Sequence, residues 1–214
     1  MNDCKRYTSF QHACNGKSTC QLNFFQIYMS ECSTHSNYLT VLYECVPEAR
    51  IHSVCARLEE TSAWGTLKTP FFPQPHVSHD DCWCRLMAEN GQRIVLSVIS
   101  FQLYSLDADA NCTNPAGLYL QSDRKRKKEC TVLQPGHYYI SSSQTLFLNF
   151  YSARPSVSGG FWIIYEASDG KSRISLKCAD TEDVKPPRDD LSTAKLSTPV
   201  SYTHLAGDSQ MTLP

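Results

Sequence analysis

Short apolar runs recur between turn signals through the middle of the chain. Ile94-Val95-Leu96-Ser97-Val98-Ile99-Ser100-Phe101 is rich in β-branched residues and follows the turn pair Asn90-Gly91. Tyr138-Tyr139-Ile140 follows Pro135-Gly136, and Phe161-Trp162-Ile163-Ile164-Tyr165 follows Gly159-Gly160, with Leu146-Phe147-Leu148-Asn149-Phe150-Tyr151 between them. Strands this short, at this spacing, predict an all-β sandwich or barrel. Several runs are apolar on both faces, which suits two packed sheets. Nearer the start, Leu39, Val41, Tyr43 and Cys45 alternate with other residues and predict one buried strand face. Beyond about residue 179 the pattern stops. Pro186-Pro187, Asp189-Asp190 and scattered Ser, Thr and Pro predict a disordered linker or stalk. The resulting division is a cysteine-dense segment 1–46, a connector 47–54, a β domain 55–168 and a mostly disordered linker or stalk 169–214.

Composition adds a compartment. The chain of 214 residues is 41 % hydrophobic and 19 % charged, so most of it can bury a core. Its formal net charge is −1, which gives no global attraction to nucleic acid or to an anionic membrane. No window of ~18 apolar residues exists, so no membrane span is expected. The eleven cysteines are far too many for an ordinary cytosolic chain and point to an oxidising, extracellular setting. Cys82-Trp83-Cys84 with His76 and His79 is a candidate metal set, but a strand and disulfides explain the same residues, and no metal is expected. Asn111-Cys112-Thr113 is a glycosylation sequon. The count of eleven is odd, leaving either a free thiol or a partner outside the chain. Met1-Asn2-Asp3-Cys4 does not open an export signal, so the sequence reads as a fragment.

The residues of the β domain resemble the CUB family. Gly65-Thr66-Leu67-Lys68-Thr69-Pro70-Phe71-Phe72-Pro73 resembles its G-x-[IL]-x-[ST]-P-x-[FY]-P signature. Cys55, Cys82, Cys112 and Cys130 fall in the family's order, and Ile94 to Phe101 resembles its long core strand. Gly160-Phe161-Trp162-Ile163-Ile164-Tyr165-Glu166-Ala167 resembles its closing strand. The resemblance implies a mainly β, two-sheet jelly-roll sandwich with bridges Cys55–Cys82 and Cys112–Cys130. Cys84 stands where the family has tryptophan, and two readings stay open for it: a bridge to Cys178, which is preferred, or a buried thiol. Many CUB domains bind calcium through acidic residues near the second cysteine pair. Asp107 and Asp109 are present, but the acid expected after Cys112 is replaced in Thr113-Asn114-Pro115. A hard cation needs several oxygen ligands. Calcium is the one cofactor to consider, and the expectation is that none is used.

Residues 4–46 resemble the second half of a galactose- or rhamnose-binding lectin domain of the sea-urchin-egg type, a small α+β module truncated here. Cys14-Asn15-Gly16-Lys17-Ser18-Thr19-Cys20 is similar to its C-x-G-[KR]-x-x-C, and Tyr38 to Cys45 to its closing Y-L-x-V-x-Y-x-C strand. The resemblance implies bridges Cys4–Cys32 and Cys14–Cys20 and leaves Cys45 without its usual partner in the missing half. Of the sugar-binding residues only Glu31 and Asn37 have counterparts. Such a remnant is expected not to bind galactose or rhamnose measurably, whereas an intact module would use these two.

Arg124-Lys125-Arg126-Lys127-Lys128 is a basic run in an otherwise balanced chain. It reads either as a solvated loop between strands or as a contact for heparan sulfate or an acidic partner. The seven histidines are scattered, and no nucleophile elbow, zincin helix or phosphate loop appears. The expectation is therefore a non-catalytic extracellular protein. It recognises a cell-surface or matrix glycan through the lectin-type module, or, alternatively, acts as a protein-binding scaffold or receptor ectodomain through the CUB face.

Overall fold

The structure is a computed structural model that describes residues 14–22, 28–29, 34–35, 41, 43–74, 80–105, 112, 116–152, 157–179 and 181–187. Among the described residues, fourteen strands run in chain order: β1 (Tyr28–Met29), β2 (Thr34–His35), β3 (Ile51–Ser53), β4 (Leu58–Ser62), β5 (Trp64–Lys68), β6 (Asp80–Ala88), β7 (Ile94–Ser105), β8 (Gly117–Ser122), β9 (Lys125–Glu129), β10 (Val132–Leu133), β11 (Tyr138–Ile140), β12 (Thr145–Ser152), β13 (Val157–Ala167) and β14 (Ile174–Cys178). β1 and β2 form a two-stranded ladder of their own. The rest build two six-stranded sheets. The first has the order β10-β7-β13-β5-β3, with β11 also along β7; the second has the order β4-β14-β6-β12-β8-β9. All pairings are antiparallel except β3 with β5. This is the two-sheet sandwich that the strand pattern predicts.

Alternation fills the space between the sheets. Leu67, Ile94, Leu96, Phe161, Ile163 and Tyr165 point inward from the first sheet; Leu86, Leu118, Leu120, Leu146, Leu148, Ile174 and Leu176 point inward from the second. Phe161 is the joint. Its ring stacks on Phe101 and meets Phe150 edge-on, each at 5.6 Å between centroids.

Strand β7 breaks the strict alternation. Ile94, Leu96 and Val98 are buried, and then Phe101 and Leu103 are. The register against β13 jumps between Trp162, opposite Ser100, and Ile163, opposite Val98, which leaves Ile99 as an extra residue. This bulge changes the phase, so one strand supplies inward residues at even and then at odd positions. The bulge carbonyl also has a partner. Asn15 Nδ2 donates to Ile99 O at 3.3 Å, across 84 residues of chain. Beside it, Gly16 at φ +77° lies against the Phe72 ring and Pro73, where a Cβ would not fit. Phe72 and Trp162 pack together at 6.1 Å on the outward side of β13, so the Cys14–Cys20 loop rests on the outer face of the first sheet.

Disulfides join Cys14–Cys20, Cys55–Cys82, Cys84–Cys178 and Cys112–Cys130. Cys84 is thus a bridged residue, not a buried thiol. Its partner Cys178 lies directly opposite on the neighbouring strand, and both are fully buried. Cys45 is unpaired and exposed. Cys4 and Cys32 lie outside the described residues.

Three segments differ from their sequence-based expectation. The connector 47–54 holds a 3-10 turn at Glu48–Arg50 and strand β3, and Val54 is in the core. The three-residue Ile-His-Ser strand is too short to show a period, and it exists because β5 offers it an edge. The segment 169–214 contributes β14, an interior strand of the second sheet, where Ile174, Leu176 and Cys178 alternate inward. The strand expected to close the N-terminal module is not formed over residues 41 and 43–47. Val41 and Cys45 are exposed, and Tyr43 is 83 % exposed. No sheet among the described residues pairs with that segment, so its alternation has nothing to pack against.

Candidate interaction surface

Among the described residues, His52 lies beside a carboxylate that also receives two hydroxyls. His52 Nε2 on β3 lies 3.0 Å from Glu60 Oε2 on β4, while Glu60 Oε1 accepts from Tyr165 Oη at 2.9 Å and from Ser62 Oγ at 3.2 Å. No hydrogen bond joins the imidazole Nε2 to the carboxylate, although the two atoms are close. The glutamate stands between histidine and serine, so the imidazole cannot take the serine proton as a nucleophile's base must. Tyr165 is fully buried, and burial pushes its phenol well above the ordinary range. The group is a polar clamp between the edge strands of the two sheets. The cavity between the sheets, lined by Leu96, Leu118, Leu120, Glu129, His137 and Tyr139, holds about 20 Å³, too little for more than a water.

Among the described residues, metal-ligating side chains come together in one place. The one group with ligating atoms in reach is Cys55, Asp80 and Cys82, and both sulfurs belong to a disulfide. Cys82 and Cys84 offer no thiolate, since each is bridged, and His76 and His79 lie outside the described residues. Asp107 and Asp109 lie outside them too. At Cys112 the backbone carbonyl accepts from Lys128 Nζ at 2.8 Å, so a protein cation already serves that oxygen.

The basic run is not a loop. Only Asp123-Arg124 turn the chain, with Asp123 at φ +52°, a conformation Asp tolerates. Lys125–Glu129 are strand β9, the edge of the second sheet. An edge strand lets cationic side chains reach water from either face, and their charge blocks pairing with another sheet. Its register on β8 sets the faces. Lys125, Lys127 and Glu129 stand opposite Ser122, Leu120 and Leu118, whose side chains point inward, and Lys127 pairs with Glu129 at 2.6 Å. Arg126 and Lys128 stand opposite Gln121 and Tyr119, on the outward face. Lys128 lies 5.3 Å over the Tyr119 ring, and burial lowers its pKa. The Tyr119 phenol is raised, by burial first and then by Tyr151, against a lowering from Arg126.

The outward face continues across the sheet. Phe147 stands opposite Gln121 on one side and Arg85 on the other; Asn149 stands between Tyr119 and Trp83. Asn149 Nδ2 donates to Asp81 Oδ1 at 2.6 Å and to Cys82 O at 3.3 Å, which engages one acid of this face, while Glu59 and Asp183 pair with Lys177 beyond Arg85. The result is a face of half-buried rings with guanidinium and ammonium groups beside them.

A CUB domain family profile matches residues 55–165, just over half of the chain. The chain belongs to the CUB family. CUB domains are non-catalytic binding modules of extracellular proteins, and a disulfide-bridged CUB sandwich is an extracellular kind of domain. No helix among the described residues is long and apolar enough to cross a membrane. No curated protein sequence is similar to this one. Among solved structures, the full extracellular region of zebrafish Gpr126/Adgrg6 is 16 % identical, with a TM-score of 0.44, over 55 % of this chain and 14 % of that one. The MASP-1 CUB2 domain bound to Ca2+ is 18 % identical, with a TM-score of 0.42, over 50 % of this chain and 94 % of that one. The CUB1-EGF-CUB2 region of rat MASP-1 is 17 % identical, with a TM-score of 0.42, over 69 % and 48 %. The chain therefore spans a small part of the zebrafish Gpr126/Adgrg6 extracellular region and about half of the rat MASP-1 region.

On the CUB sandwich the five basic residues fall on one strand and its turn, but on two faces. Glu31, Asn37 and the sequon residue Asn111 lie outside the described residues. Tyr119, Phe147 and Arg85 escape a reading of the sequence, because they become neighbours of Arg126 only through the register of four strands. Alternation in 117–122 and 145–152 marks them as outward but does not pair them.

Proposed function

We propose that this chain is a non-catalytic recognition part of an extracellular protein, and that its CUB domain binds an anionic partner at β9. The observation that carries this reading is the edge strand itself. Arg124, Lys125 and Arg126 are exposed in sequence, and the first acid along the strand is Glu129. With a net charge of −1, attraction to a polyanion has to be local. Heparan sulfate at the cell surface or in the matrix fits this chemistry, and so does an acidic protein surface. Elution of the full chain from heparin resin tests it. Binding at physiological salt that falls on Arg124→Ala/Lys125→Ala/Arg126→Ala substitution supports the reading; elution at low salt, unchanged by the substitutions, refutes it.

A second reading concerns the N-terminal segment. The Cys14–Cys20 loop forms the bridge that a galactose- or rhamnose-binding lectin module has at this place. On this reading Glu31 and Asn37 take part in glycan binding when joined to the first half of such a module, and Asn111 carries a glycan of its own. Sugar competition against this chain joined to such a half tests the first point, and a mass shift after amidase treatment tests the second.

A further inference from the structure

Strand register divides the four basic residues of β9 into two pairs with different neighbours, Lys125 with Lys127 and Arg126 with Lys128. Lys125 and Lys127 flank the inward side of β9, and Lys127 is neutralised by Glu129. Arg126 is on the outward side, in a row that runs Arg126, Gln121, Phe147, Arg85 across β9, β8, β12 and β6. Neither Arg126 nor Arg85 has an ion-pair partner among the described residues. Three strand spacings separate their backbones, about 14 Å. Between them lie the Phe147 ring and, one row along, the Tyr119 ring, both half-buried.

We infer that the outward face of the second sheet, from Arg126 to Arg85 over Tyr119 and Phe147, is a binding site for a sulfated oligosaccharide. This deepens the anionic-partner reading and rests on it. Guanidinium groups match the fork of two sulfate oxygens, as they do carboxylate and phosphate. Two of them at this separation suit an extended chain of several sugars rather than a single residue. The half-buried Phe147 ring, with Tyr119 and the Lys128 ammonium over it one row along, adds apolar area beside the charges at little entropic cost. An acidic peptide would more naturally add a strand to the free edge of β9, where the inward pair Lys125 and Lys127 counts as much as Arg126.

Two variants of the full chain separate these cases, each removing two charges. Arg126→Gln/Arg85→Gln and Lys125→Gln/Lys127→Gln are compared for binding of a size-defined heparin oligosaccharide by calorimetry, with thermal unfolding as the control for folding. The first pair is expected to weaken binding by about 10-fold or more and the second by about 3-fold or less, since charge-assisted bonds are lost only in the first. Phe147→Leu is expected to weaken binding at high as well as at low salt, because stacking is not screened. Absence of binding by the parent chain overturns the anionic-partner reading altogether. Binding that falls equally in both pairs leaves that reading standing and overturns the outward-face site. So does undiminished binding of the desulfated oligosaccharide, or stronger binding of an acidic peptide than of the oligosaccharide.

Discussion

Removing the Cys84–Cys178 bridge is the sharpest test of how the sandwich is held together. The bridge joins positions 94 residues apart, against 27 for Cys55–Cys82 and 18 for Cys112–Cys130. In the chain-entropy model, loops of these lengths are worth about 4.7, 3.5 and 3.2 kcal/mol at room temperature. The Cys112–Cys130 loop lies inside the long one and shortens the free chain it closes, which brings the first value to about 4.5 kcal/mol. Both sulfurs are buried between the sheets, so Cys84→Ala/Cys178→Ala adds the loss of packed volume. The expected destabilisation is therefore about 4–6 kcal/mol, with a fall in Tm of order 15 °C. Urea unfolding followed by tryptophan fluorescence measures it, with Cys112→Ala/Cys130→Ala as the comparison. A loss below about 1 kcal/mol, or one smaller than in the comparison, would show that β14 is not the interior, cross-linked strand described above.

Other perturbations probe separate parts of the account. Gly65→Ala places a methyl group against the Tyr165 hydroxyl, and a loss of about 1–3 kcal/mol by urea unfolding is expected, partly recovered with Tyr165→Phe. Phe150→Ala removes the ring that meets Phe161 and should cost about 3–5 kcal/mol in the same assay. The Asp169 carboxyl is lowered to about 2, first by the Ser172 hydroxyl and then by the backbone N–H groups of Ser172 and Lys171. A depressed carboxyl favours the folded turn above its ordinary range, and that preference is lost as pH falls through about 2. Carbon-13 titration of Asp169 should show the low midpoint, and Ser172→Ala should move it upward.

Much of the sandwich is legible in the sequence because alternation is a local property. The runs 146–151 and 161–165 bury the residues that a period of two selects. Ile94–Ser105 does so only as far as Val98, since the bulge at Ile99 depends on pairing with β13 and changes phase without a local signal. Strand β14 shows its alternation plainly in Ile174, Leu176 and Cys178, but it lies beyond the stretch that resembles the family, so composition made it look like stalk. The reverse holds for Val41, Tyr43 and Cys45, where alternation is present and a sheet to receive it is not. The binding face is the least legible feature. A run of five basic residues is evident in the sequence, but which of them share a surface with Tyr119, Phe147 and Arg85 is decided by cross-strand register.

The most direct test of the recognition surface is an amide chemical-shift map of the full chain titrated with a sulfated oligosaccharide. Shifts gathered on β8, β9, β12 and β6, and absent from residues 14–35, are the predicted result. Shifts confined to the N-terminal segment, or none beyond the free edge of β9, would contradict it.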